Sequence, residues 1–185
     1  MKRQICFIEF RINNLNEFTN LKRVFNLFKA AKNNVQPESD EFWIDNFPKC
    51  ALEKFYFLET DVKPELETAK KSEFVWHFYS LIELLEKNYE IEYISCEKIT
   101  DDFGRLEYEP FGYPYGGISG LVTFINSFNC KPLKIDDGTS LYKIDFLNNG
   151  DFSITDLKDF SEQNSSVKLF DANLLLRKFI NRLRN

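Results

Sequence analysis

The amino-acid sequence predicts an α+β fold: a single domain over residues 1–185, built as a mainly antiparallel sheet packed with three to four helices. Three observations carry this reading. Stretches with apolar residues three and four positions apart interleave with shorter stretches of period two, the signatures of helix and half-buried strand. Their order is strand, helix, strand, helix, then mostly strands with one embedded helix, which suits an antiparallel sheet with helices packed on it. Finally, all seven glycines lie between Gly104 and Gly150. Glycine tolerates backbone conformations and close approaches that other residues do not, so this window is expected to hold the demanding turns.

The elements follow in order. Ile5–Ile12 reads as a strand well inside the sheet, with Cys6, Ile8, Phe10 and Ile12 on a wholly apolar side. Asn13-Asn14 ends it and caps a helix from Leu15 to about Lys32, whose Phe18, Leu21, Val24, Phe25, Phe28 and Ala31 share one face. Residues 33–48 are polar and hold Pro37 and Pro48, which predicts a loop with a short extended piece at Phe42-Trp43-Ile44. Leu52–Leu58 is an aromatic run read as a strand, and Thr60–Lys71 as a charged linker. Ser72–Asn88, capped by Ser72, is the most strongly patterned helix, apolar on most sides. Tyr89–Ile99 alternates as a strand and pairs across the turn Asp101–Gly104 with Arg105–Glu109. A helix starts near Gly117–Ser119 and runs through Phe128. Asp136–Thr139 is a turn. Asn148-Asn149-Gly150 joins Leu141–Leu147 to Asp151–Ile154 as a hairpin, and Phe170–Arg184 closes the chain as a helix.

Hydrophobic residues make up 43% of the chain and twenty of them are phenylalanine, enough for a large, rigid aromatic core. The net charge of −5 favours a basic partner and disfavours nucleic acid or an anionic membrane. The cations of the last residues, Lys168, Arg177, Lys178, Arg182 and Arg184, are read as complementing a helix dipole. The four cysteines are 40 or more residues apart and there is one histidine, so neither a metal site nor any cofactor is expected. The amino terminus is too charged for a signal peptide, and no stretch approaches a membrane span. Together these point to a cytoplasmic protein with reduced thiols.

No catalytic residue is assigned. His77, the lone imidazole, is placed on the Ser72–Asn88 helix with only Ser80 near it, and is read as structural. Asp101, Asp102, Glu107 and Glu109 precede the glycine segment and Asp136 and Asp137 follow it. Converging, they would make a carboxylate- or metal-dependent hydrolase within residues 101–138, the alternative reading. Asp-Asp-Phe-Gly and Asp-Asp-Gly-Thr are also ordinary turn sequences, where Asp bonds its own backbone, and that reading is favoured. Gly116 and Gly117 at a helix start suit an anion. However, neither a phosphate-loop lysine nor dinucleotide-motif spacing accompanies them. The preferred site is a protein-binding surface of Tyr113, Tyr115, Gly116, Gly117, Asp101, Asp102, Glu107 and Glu109, with rigid tyrosines as anchors.

In general character (short, acidic, aromatic-rich, without a catalytic motif) the chain is similar to the immunity proteins with which bacteria neutralise toxins. The likeness implies a non-enzymatic module that covers a basic protein partner. It rests on no motif, so no residue role is carried over. The oligomeric state is left open, with the apolar Phe74–Leu85 face as a candidate dimer contact.

Overall fold

The computed structural model describes residues 5–34, 36–65, 76–112, 117–147 and 152–157. They form an α+β domain: six antiparallel strands with helices packed against the sheet. In chain order the elements are β1 (Cys6–Arg11), α1 (Leu15–Ala31), α2 (Asp40–Asn46), α3 (Lys49–Leu52), α4 (Phe78–Glu86) and β2 (Ile91–Lys98). They continue with β3 (Phe103–Pro110), α5 (Ile118–Ser127), β4 (Lys131–Asp136), β5 (Leu141–Phe146) and β6 (Phe152–Asp156). The sheet order is β2-β3-β1-β4-β5-β6.

β1 lies inside the sheet as its apolar side predicts, pairing with β3 on one flank and β4 on the other. Its Cys6, Ile8 and Phe10 are fully buried on the helix side, whereas Phe7, Glu9 and Arg11 face outward. The Asn14 side chain caps α1 by accepting from the Asn16 amide at 2.8 Å. Five apolar residues of α1 and Ala31 then enter the core. There Phe28 stacks on Trp43 with ring centroids 4.2 Å apart, and Phe47, Phe78, Phe124 and Phe128 join the same cluster. The aromatic core expected from composition is thus centred on this connected cluster of rings, with Phe10–Phe18 and Phe25–Tyr93 as further buried pairs.

Three local expectations are corrected. Phe42–Ile44 is helical, because Ser39 caps α2 and turns Trp43 inward where an extended strand would alternate it with its neighbours. Leu52–Leu58 is not a strand: Lys49–Leu52 is a short helix, and only Tyr56 makes an isolated bridge, to His77. Consequently His77 is not on a regular helix. It is the extended residue just before α4, held by Tyr56 N–H donating to Trp76 O and Phe78 N–H donating to Tyr56 O. The Ser72 cap and Phe74 lie outside the described residues, as do the Asn148–Gly150 turn and the Phe170–Arg184 helix.

β4 has no counterpart in the pattern-based reading. Pro132 and a register shift against β1 at Glu9/Phe10 disturb its alternation, so periodicity alone does not reveal it.

The glycine window also has a different physical cause. Among its described glycines only Gly138 has a positive φ, 86°. A Cβ on Gly104 would sit 2.4 Å from the Phe10 ring, and one on Gly120 would sit 2.4 Å from Leu84. Those two are small because neighbouring side chains, Phe10 and Leu84, press on them.

Candidate protein-binding surface

The β2–β3 hairpin carries the site. Its register sets Ile91 opposite Pro110, Glu92 opposite Glu109, Ser95 opposite Glu107 and Glu97 opposite Arg105. Ile91, Tyr93 and Cys96 are buried beneath it, which sends Glu92 and Glu97 outward into solvent. At the open end, the Phe111 amide donates to Glu90 O at 2.8 Å and keeps the two strands together beyond the ladder. This places Phe111 across from Glu90, the residue after Tyr89, so that both aromatics belong to the open end of the hairpin. They are 81% and 68% exposed, the two most exposed large hydrophobic residues among those described. Exposed Glu90 and Glu92 flank them, and a Cβ on Gly112 would meet nothing within 4 Å. The result is an open aromatic corner with a carboxylate rim.

Glu92 and Glu109 are register partners across the ladder, Glu92 exposed and Glu109 buried. Lys32 lies beneath β2. Burial lowers its amine to about 8, and Glu92 opposes that shift. Its amine donates to the Asn88 and Ile91 carbonyls and lies over the Tyr93 ring, so this lysine holds the edge strand from inside. Lys29 likewise donates to Ile94 O at 2.8 Å.

The expected site residues are only partly gathered. Glu107 and Glu109 share the outward face of β3 with Glu92. Glu107 accepts from Ser95 Oγ at 2.8 Å, and its neighbour Arg105 pairs with Glu9 at 2.6 Å. Asp101 and Asp102 are exposed at the β2–β3 turn, the far end of β3, roughly 25 Å from the Phe111 end at strand rise. Gly117 is buried as the residue preceding α5. Tyr113, Tyr115 and Gly116 lie outside the described residues. Tyr89 and Phe111 were missed because alternation counts Tyr89 as the first residue of a strand, whereas β2 begins at Ile91. The available signal was their position, each just beyond the last ladder pair of a hairpin.

The carboxylates of the hydrolase reading do not assemble. Glu107 and Asp136 both flank Phe7, two strands apart at roughly 10 Å. Asp102 lies at the opposite end of β3, where its carbonyl accepts from the Ile12 amide. Asp137 is buried and spent on its own turn, accepting from the Thr139 and Ser140 amides at 2.8 and 3.0 Å. Asp136 does the same for Gly138 at 2.8 Å. These are the local backbone bonds that Asp supplies in turns. Among the described residues no three His, Cys, Asp or Glu side chains are placed to hold a metal ion.

Carboxylates populate β2 and β3, whereas Lys131, Lys134 and Lys143 line the β4–β5 side. No helix among the described residues is long and apolar enough to cross a membrane. Compared with protein-family models, curated proteins and solved structures, the chain matches none.

Proposed function

We propose that the chain is a protein-binding module that captures a basic protein, in the manner of an immunity protein covering a toxin. The observation that carries this reading is the exposure of Tyr89 and Phe111 at the open end of the β2–β3 hairpin, with exposed Glu90 and Glu92 next to them in the chain. Exposed aromatics on a rigid hairpin are efficient anchors, because large area is buried with little loss of side-chain freedom. The rim then selects the partner. Carboxylates around the anchors attract a cationic surface over several ångströms and speed encounter.

The test is a Tyr89→Ala/Phe111→Ala double variant. Both rings lie mostly in solvent, so the fold should survive, as circular dichroism will report. Affinity for the basic partner that co-purifies with the wild-type chain should fall by at least about 2 kcal/mol in calorimetry. The remaining binding should weaken as salt is raised. Equal affinity of the double variant and the wild type would remove this corner from the reading.

A further inference from the structure

Asp61, His77 and Ser80 form a hydrogen-bonded line at the amino end of α4, the opposite end of that helix from Tyr89. Ser80 Oγ is 2.9 Å from His77 Nδ1, and Asp61 Oδ2 is 2.7 Å from His77 Nε2. An ionised carboxylate only accepts, so Nε2 carries the proton and Nδ1 is the acceptor for the Ser80 hydroxyl. Burial alone would raise the Asp61 carboxyl, but the hydrogen bonds from His77 and the Leu58 amide bring it below its usual value. The His77 and Asp61 side chains are each 14% exposed, whereas Ser80 is open to solvent.

Two tyrosines also border the imidazole. Tyr56 and Tyr79 place their rings 5.4 and 6.0 Å from it. The Tyr79 hydroxyl donates to Val62 O at 2.7 Å, and the Leu58 amide donates to Asp61 at 2.6 Å. Thus the loop carrying Asp61 is pinned to the turn carrying His77. The amides of Tyr79 and Ser80, in the first turn of α4, have no acceptor among the described residues.

We propose that Ser80 is a nucleophile, His77 its base and Asp61 the group that orients the imidazole, a site for hydrolysis of a carboxylic ester. An accessible hydroxyl on a fixed base, itself oriented by a buried carboxylate, is the arrangement that activates serine. Ser80 Oγ attacks the ester carbonyl carbon as its proton passes to His77 Nδ1. The amides of Tyr79 and Ser80 are the donors available to the oxyanion. The C–O bond to the alcohol breaks, and the alcohol leaves with that proton. Water then attacks the acyl-serine, gives a proton to His77, and releases the acid; the proton returns to Ser80 Oγ. This site is independent of the Tyr89–Phe111 corner, so either reading stands or falls alone.

The test is covalent labelling with a fluorophosphonate ester, read by intact mass and peptide mapping. The native chain should gain one adduct, on Ser80, and the urea-unfolded chain and Ser80→Ala none. His77→Asn should slow labelling by about 100-fold or more, as loss of a general base does. If His77→Asn loses its fold by circular dichroism, Asp61→Asn makes the same comparison. No adduct on Ser80 in the native chain, or labelling as fast in the folded variant as in the wild type, overturns the proposal.

Discussion

Gly104 lies opposite Phe10 in the β1–β3 ladder, and its missing side chain leaves the space that the Phe10 ring occupies. Both ring edge atoms nearest a built Cβ are at or within 2.5 Å, and Phe10 is fully buried among other rings, so it has nowhere to swing. A close-packed interior resists even one added methyl group. Gly104→Ala should therefore destabilise the protein by about 1–3 kcal/mol, seen as an earlier urea midpoint with an unchanged slope. Gly112→Ala, whose Cβ would meet nothing, is the matched control and should be near neutral. The pair separates a glycine that yields room to a neighbour from one whose Cβ would enter open space.

At the scale of elements, the Asp61 carboxylate is what ties the loop after α3 to the start of α4. It accepts from the Leu58 amide on its own loop and from His77 across the gap. Its folded-state pKa is lowered, so the unfolded chain takes up its proton first as pH falls. The stabilisation is complete above the ordinary carboxyl pKa and is lost as pH falls through the folded value. Asp61→Asn should cost about 1 kcal/mol at neutral pH. The gap between variant and wild-type urea midpoints should close as the acid limb is titrated. A gap that persists in acid would show that the loop is held by its tyrosine contacts and not by the carboxylate.

For the molecule as a whole, the thiols report how completely the sheet and helices close over the core. Cys6, Cys96 and Cys130 are buried, and Cys50 is half-buried at α3. Burial pushes the Cys6 and Cys130 thiols up to about 12, with Asp136 adding to the first and Glu17 to the second, and it raises Cys96 as well. Thiolates are the reactive form, so these three should be inert in the folded chain. A thiol reagent should modify Cys50 alone under native conditions and all four cysteines in urea. Rapid reaction of a second cysteine would mean that the sheet opens locally.

Some of this molecule is legible without coordinates. The apolar side of Cys6, Ile8 and Phe10, the face of α1 from Phe18 to Ala31, and the pairing of β2 with β3 all follow from local periodicity. Burial of one side of an element leaves a repeat in its own sequence. The α+β class follows from the order of those repeats. What tertiary structure decided is where neighbours in space replace neighbours in sequence. α2 turned Trp43 onto Phe28, β4 was placed by pairing across a bulge, and Gly104 made room for Phe10. In the same way Asp61 reached His77 from sixteen positions away, and the Phe111 amide reached the Glu90 carbonyl at the mouth of a hairpin. Each of these depends on a contact between distant residues, which leaves no period in the chain from which it could be read.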